Sequence, residues 1–157
     1  MQLPRRQYLG AVGAVVAGSG FAGCQGQSED DEGHPLLTDE PNYRGWFDGV
    51  SNYRGTRDYR SESTVVVRVG VAGDVGYYKF GPPAVAVSPG TEVVWRWTGK
   101  GGAHNVVAER GAYDSGDPVA GENQTFTFRF EEPAVYTYLC EPHHDIGMRG
   151  AVFVALG

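Results

Sequence analysis

The 157-residue chain is poor in basic residues and above all in lysine, and this shortage narrows its possible functions. It has 13 basic and 19 acidic residues, which gives a formal net charge of −6. Proteins that bind nucleic acids carry basic patches, so the composition argues against a nucleic-acid partner. Lys79 and Lys100 are the only lysines. We interpret this acidic, lysine-poor composition as that of a protein from a halophilic organism, although an ordinary acidic extracellular protein would have a similar composition.

Cysteine is scarce as well, with Cys24 and Cys140 as the two cysteines of the chain. Two cysteines in an exported protein commonly form a disulfide. Here each cysteine belongs to a motif of its own, as described below. We therefore expect that the two do not pair with each other.

Long hydrophobic runs are also missing. The apolar stretch from residue 9 to residue 23 is too short for a transmembrane helix, which needs about 20 residues. Paired Arg5 and Arg6 precede it in the segment MQLPRRQYLG, which resembles a twin-arginine export signal. A Sec-type signal or an uncleaved anchor is the alternative. We assign residues 1–24 to an export signal.

The signal ends in FAGC, which resembles a lipoprotein processing box with Phe21 where leucine is usual. Cleavage before Cys24 would place its thiol at the new N-terminus for lipid attachment. One or two acyl chains would then hold the protein on the outer face of the cell membrane without spanning it. The alternative is that Cys24 is simply a small residue near a different cleavage site.

Two segments separate the signal from the remaining chain. Residues 25–41 are polar, acidic and interrupted by proline and glycine, which predicts a flexible tether. Residues 42–63 contain apolar side chains at the spacing of a short amphipathic helix, Trp46, Phe47, Val50 and Tyr53. We expect this lead-in segment to pack on the edge of the domain that follows.

Residues 64–157 have the pattern of an all-β domain. Short β-branched or alternating runs such as TVVVRVGV, TEVVWRWT and QTFTFRF are separated by turn-forming glycines and prolines. In TEVVWRWT, Val93, Trp95 and Trp97 share one face of the predicted strand. Seven or eight short strands in about 94 residues predict a Greek-key β-sandwich.

The stretch YLCEPHHDIGM brings together residue types that bind soft metal ions. Cys140 ends a predicted strand, and Pro142 prevents the strand from continuing because it has no amide hydrogen. The loop that follows can direct Cys140, His143 and Met148 at one point. Thiolate, imidazole and thioether suit copper, whereas zinc seldom binds methionine and iron–sulfur clusters need more cysteines.

A blue copper site has two histidines, one cysteine and a weak axial methionine, so a further histidine is required. The candidate is His104 in GGAHNVV, at the junction of a glycine-rich turn and a strand. His144 is adjacent to His143 but fits the spacing less well, and we interpret it as an exposed neighbour.

These motifs resemble those of a known family. AHNVV followed by YTYLCEPHHDIGM is similar to plastocyanin-type cupredoxins, and most closely to halocyanins, the small blue copper proteins of haloarchaea. The resemblance covers about residues 43–157. It implies one copper ion per chain, Cu(I) or Cu(II), with the ligands His104, Cys140, His143 and Met148. It also implies that Asn105 joins the two ligand loops by hydrogen bonds.

The resemblance implies a function in electron transfer rather than catalysis. A membrane-tethered protein of this kind would carry single electrons between protein redox partners, the respiratory donors and acceptors of the membrane. Copper oxidases and nitrite reductases need a second copper site with more histidines, and the chain has four. The alternative is a copper storage or delivery protein, which would release its metal instead of retaining it through redox cycles. We expect a monomer, located outside the cell of a halophilic archaeon.

One residue departs from the pattern of the plant-type relatives. These have a tyrosine before the ligand cysteine that serves docking and electron transfer, whereas this chain has Leu139 there. A tyrosine route on that flank is therefore not expected. We expect electrons to pass at the edge of His143, in an apolar patch to which Pro142 and Ile146 contribute.

Overall fold

The computed structural model describes residues 33–156. The predicted export signal, with Arg5, Arg6 and Cys24, lies outside the described residues, and so does the first part of the predicted tether. Among residues 33–156 there is no helix long and apolar enough to cross a membrane.

Nine strands make up the described domain. They are β1 Arg57–Asp58, β2 Thr64–Val71, β3 Lys79–Gly81, β4 Ala84–Val87, β5 Thr91–Thr98, β6 Val107–Ala108, β7 Glu122–Phe130, β8 Ala134–Leu139 and β9 Arg149–Val154. A single 3-10 turn, His144–Ile146, is the helical element of residues 33–156. This confirms the prediction of an all-β domain.

The strands form two mixed sheets. One has the order β1-β4-β9-β8-β6 and the other the order β3-β2-β5-β7. In each sheet a parallel pair adjoins an antiparallel one. In the first sheet β9 is parallel to β4 and antiparallel to β8. In the second sheet β5 is parallel to β2 and antiparallel to β7. Side chains of both sheets share one buried core, so the predicted sandwich is confirmed.

Strand β5 shows why these sequences form a sandwich. Its burial alternates along the chain, with Val93, Trp95 and Trp97 buried and the residues between them more exposed. A period of two places alternate side chains on opposite faces of a sheet. The aromatic face that the sequence predicts is therefore the core face.

Trp95 lies at the centre of that core. Its ring packs against the rings of Tyr113, Phe126, Phe130 and Tyr138 at centroid distances of 5.2, 5.7, 6.3 and 5.3 Å. These partners come from both sheets and from the loop after β6. The Trp95 side chain therefore connects the two sheets with the loop after β6.

The lead-in segment is a series of turns rather than a helix. Backbone amides bond to carbonyls three residues earlier, as in Trp46 to Tyr43 and Val50 to Phe47. Gly45 and Gly49 have φ values of 80° and 79°, which a right-handed helix does not allow. Phe47 and Val50 nevertheless reach the domain, where they pack with alanines of β4 and β9.

Residues 33–41 belong to the predicted flexible tether but lie against the domain. The His34 ring stacks on Tyr59 at 3.9 Å, and Leu36 forms an antiparallel bridge with Arg57. Glu40 accepts hydrogen bonds from Thr56 and Tyr53. This part of the segment is docked because it offers the domain an aromatic ring, a leucine and a satisfied carboxylate.

Replacing Trp95 by alanine should destabilise the fold strongly. Removing a fully buried aromatic side chain loses its transfer free energy and leaves a cavity, which lowers the free energy of unfolding by about 3–5 kcal/mol. Urea unfolding followed by circular dichroism measures the change. Leu156→Ala is the control, since Leu156 is 78% exposed and its loss should change stability by less than about 0.5 kcal/mol. Equal stabilities for the two variants would contradict the central role of Trp95.

Candidate metal centre

The candidate ligands come from two loops at one end of the sandwich. His104 precedes β6, whereas Cys140, His143 and Met148 lie in the connection between β8 and β9. Leu139 pairs with Arg149 at the end of the β8–β9 ladder, so residues 140–148 form a loop whose two ends are fixed side by side. We name this connection the ligand loop.

The structure brings three of the four predicted ligands together. The Nδ1 atoms of His104 and His143 are 3.1 Å apart, and the Cys140 Sγ lies 3.8 Å from the first and 3.5 Å from the second. His104, Cys140 and His143 are the one group of potential metal-ligating side chains of this kind in residues 33–156. His104 and Cys140 are buried, and His143 is half-buried.

Hydrogen bonds within the ligand loop hold these side chains in place. The amide of Cys140 donates to the Met148 carbonyl at 3.1 Å, and the amide of Met148 donates to the His143 carbonyl at 3.1 Å. The amide of His143 donates back to Cys140. The three residues of the loop that were predicted as ligands therefore belong to one hydrogen-bonded unit, and Met148 is fully buried in it.

A glycine completes the tight geometry of the loop. Gly147 has a φ of 84°, a left-handed conformation that disfavours residues with a Cβ atom. A Cβ atom at this position would also collide with the carbonyl of Gly49 in the lead-in segment. The backbone before Met148 can therefore approach the lead-in segment only with glycine at this position.

His104 is oriented by bonds on both sides of its ring. Its Nε2 lies 2.7 Å from the Lys100 carbonyl, which can only accept, so Nε2 carries the hydrogen and Nδ1 keeps a lone pair. The backbone of His104 bridges to Val119, and its carbonyl accepts from the indole of Trp97 at 3.1 Å. The imidazole therefore presents its lone pair towards Cys140 and His143.

Asn105 connects the two loops directly. Its carbonyl oxygen accepts from the Glu141 amide at 2.8 Å, and its amide nitrogen donates to the Glu141 carboxylate at 2.6 Å. The same nitrogen donates to the Gly116 carbonyl. The residue after His104 is thus bonded on both sides to the residue after Cys140, and Asn105 is fully buried.

Burial shifts the pKa of all three converging side chains. Burial lowers the pKa of His104, and the neighbouring His143 lowers it further against the opposing bond to Lys100. Burial also lowers the pKa of His143. Both imidazoles are therefore neutral donors at pH 7. Burial raises the pKa of the Cys140 thiol to about 11, so a metal ion must displace the thiol proton as it binds.

The donor set fits copper. Bonds of roughly 2.0–2.3 Å to a common ion leave nitrogen and sulfur donors about 3–4 Å apart, as these three atoms are. Two neutral imidazoles and a thiolate, with a buried thioether in the same loop, match the soft and borderline preferences of Cu(I) and Cu(II). His144 stands apart from the group, with its Nδ1 3.1 Å from the Asp145 carboxylate.

Two further residues lie at the site without any signal in the sequence. Tyr78 packs on His143 with ring centroids 4.5 Å apart, and Lys79 donates to the Ile146 carbonyl. Neither belongs to a ligand motif, because Tyr78 ends the β2–β3 connection and Lys79 begins β3, both far in sequence from the ligands. Burial of a lysine is also rare, so its place in a strand gave no signal.

A β-sandwich that gathers two histidines and one cysteine at one end defines the class of cupredoxin-type copper proteins. The profile of the copper binding proteins of the plastocyanin/azurin family matches residues 67–155, more than half of the chain. The chain therefore belongs to the plastocyanin/azurin family. As a member it is an electron-transfer protein and not an enzyme, and it binds one copper ion.

Individual relatives agree with this family. Halocyanin from Natronomonas pharaonis is 37% identical, over 97% of this chain and 98% of the relative. Chloroplastic plastocyanin from Physcomitrium patens is 34% identical over 60% of this chain and 60% of the relative. Among solved structures, oxidised plastocyanin from Dryopteris crassirhizoma has a TM-score of 0.47 at 27% identity, covering 58% of this chain and 100% of that chain. The family match and the two sequence relatives confirm the resemblance to halocyanins and plastocyanins.

Replacing Asn105 by alanine should loosen the metal centre. The variant leaves the Glu141 amide without its buried acceptor, so the ligand loop is no longer tied to the His104 loop. Loss of an outer hydrogen-bond partner typically reduces metal affinity about 10–100-fold. Competition with a Cu(I) chelator measures this affinity. The exposed Gln124→Ala variant is the control, and an unchanged affinity in Asn105→Ala would show that the tie is dispensable.

Proposed function

We propose that the protein is a type 1 (blue) copper protein that acts as a membrane-tethered one-electron carrier. His104, Cys140 and His143 would hold the copper as strong ligands, and Met148 would be a weaker fourth ligand. The observation that carries this proposal is the convergence of two imidazole nitrogens and one sulfur within 4.8 Å of one another in a largely buried place. When bound, copper supplies a Cu(II)/Cu(I) couple.

The protein supplies a site that changes little between redox states. His104 is held by Lys100, Val119 and Trp97, and the ligand loop is held by its own backbone bonds. Donors fixed by a rigid sandwich need little rearrangement when the charge at the centre changes. Small rearrangement favours fast transfer of single electrons over chemistry that needs an open coordination position.

The edge of His143 is where we propose that partners approach. His143 is half-buried, whereas Cys140 and His104 are closed off from solvent. Exposed apolar side chains lie beside it in sequence or contact: Ile146 is 44% exposed in the same loop, and Tyr77, 41% exposed, adjoins the Tyr78 that packs on the His143 ring. Together with exposed Pro142 they offer apolar contacts to a partner, beside the Lys100 ammonium over the Tyr77 ring and the exposed Asp145 carboxylate.

The proposal also includes a location and partners for the protein, and these depend on residues that precede the described ones. The paired Arg5 and Arg6, the FAGC sequence and Cys24 support export and lipid attachment on the outer face of the membrane. There the protein would meet respiratory donors and acceptors of the membrane, and residues 25–32 would serve as a tether. The similarity to halocyanin along 97% of the chain supports the same layout in a haloarchaeal cell.

Residues 25–157 should turn intensely blue on addition of Cu(II), and a mild reductant should bleach the colour reversibly. The colour arises from the Cys140 thiolate bound to Cu(II), so Cys140→Ser should lose the band. Visible absorption during a redox titration measures both effects.

The adjacent histidines provide the control for the blue band. His144→Ala should keep it, because His144 lies outside the donor group, whereas His143→Ala should lose or strongly alter it. A Cys140→Ser protein that stays blue would falsify the site. Copper that leaves for a chelator during each redox cycle would instead indicate storage or delivery.

Met148→Gln should keep copper but lower its reduction potential. A thioether favours Cu(I), whereas an amide oxygen is a harder ligand that favours Cu(II). Spectroelectrochemistry measures the potential, and Leu156→Gln, which places the same amide on the surface, is the control. An unchanged potential in Met148→Gln would argue against axial ligation.

A further inference from the structure

Lys79 is a buried lysine beside the candidate metal centre. It is one of two lysines in the chain, and its side chain is fully buried. Its Nζ donates to the Ile146 carbonyl at 2.6 Å, two residues before Met148. A second partner, the Asp74 carboxylate, lies 3.5 Å away. A buried ammonium costs free energy unless it is well compensated, so an apolar residue would serve a merely structural position better.

The contacts of Lys79 connect three separate segments. Asp74, in the β2–β3 connection, accepts a hydrogen bond from the Ser51 hydroxyl at 2.7 Å. Ser51 lies two residues after Gly49, whose carbonyl adjoins Gly147 of the ligand loop. The lead-in segment, Asp74 and Lys79 thus form a continuous brace on the Met148 side of the loop.

This brace is formed in part outside the family match. The profile of the family begins at residue 67, whereas Ser51 and Gly49 belong to the lead-in segment. Further bonds support the same contact: the Trp46 indole donates to the Gly150 carbonyl at 2.9 Å, and the Arg149 guanidinium donates to the Asp48 carbonyl. The lead-in segment therefore lies against both ends of the Met148 region.

We propose that Lys79 is a positioning residue that fixes the Met148 side of the ligand loop and whose charge raises the reduction potential of the copper site. This inference rests on the proposed copper ligands. A positive charge disfavours Cu(II) more than Cu(I), because the first carries more positive charge. The interaction is strong in a buried environment and weak in water.

Asp74 does not cancel this charge. Its side chain is 60% exposed, so water screens the carboxylate, whereas the ammonium has no contact with solvent. Lys79 should therefore raise the reduction potential of the copper, and Asp74 should lower it by a smaller amount. A purely structural role for Lys79 would not produce this opposition of signs.

Lys79→Met tests the proposal, since methionine is a flexible apolar side chain of comparable length without the charge. At a fixed solution potential the Cu(I)/Cu(II) ratio should fall at least about threefold, or roughly 30 mV at about 59 mV per tenfold change. Lys79→Arg, which keeps the charge, should restore the ratio. Asp74→Asn should raise it.

The copper-free protein provides a second readout. The amides of Gly147 and Met148 donate to His144 and His143 within the loop. Hydrogen exchange of these two amides, measured by NMR, should be faster in Lys79→Met than in the wild type. The control is Arg96→Met, which removes one exposed positive charge from β5 and should leave both exchange and the Cu(I)/Cu(II) ratio close to wild-type values.

The proposal requires both a lower Cu(I)/Cu(II) ratio and faster amide exchange in Lys79→Met. An unchanged ratio or unchanged exchange in Lys79→Met overturns the proposal, as does a ratio shift no larger than that of Arg96→Met. If Lys79→Met does not fold, Lys79→Gln replaces it, because it removes the charge and keeps an N–H donor for the Ile146 carbonyl. An unchanged ratio in that variant overturns the proposal. A wild-type protein without a blue band refutes the copper ligands instead, and the exchange experiment then still tests the brace.

Discussion

Two hydrogen bonds between Asn105 and Glu141 join the stretches of chain that carry the candidate ligands. His104 and Cys140 are far apart in sequence, and each lies directly before one of the bonded residues. The distances from His104 to Cys140 and His143 depend on this alignment. It depends in turn on the sandwich, because Trp95 packs against rings of both sheets and of the loop after β6. The site is therefore built on the core and not on the loops alone.

The sequence predicted those parts of the molecule in which local chemistry is decisive. The alternation in TEVVWRWT predicted the buried face of β5, and the spacing between Cys140 and His143 predicted two of the three converging donors. Pro142 and Gly147 indicated the loop between the last two strands. These features succeed because each depends on residues close together in the chain. The axial role of Met148 stays a prediction, although its burial agrees with it.

Other features could not be predicted because they depend on distant residues. The lead-in segment has the apolar spacing of a short helix, but Gly45 and Gly49 adopt left-handed conformations and turn it into a series of bends. His34 and Leu36 look like tether residues until Tyr59 and Arg57 are placed beside them. The burial of Lys79 cannot be read from the sequence, because it results from the packing of the fold around this residue. In each case the partner is separated by many residues and has no motif of its own.

The position of β9 has a consequence for the order in which the molecule is completed. β9 lies between β4 and β8 in the middle of its sheet, although it comprises residues 149–154. A ribosome must therefore synthesise nearly all of the described chain before the centre of this sheet exists. The ligand loop immediately precedes β9, and its ends are aligned only when β9 pairs with β8. The pairing of β9 with its neighbours and the formation of the metal centre thus coincide. The nascent chain therefore has no complete copper site until nearly all of the described residues have been synthesised.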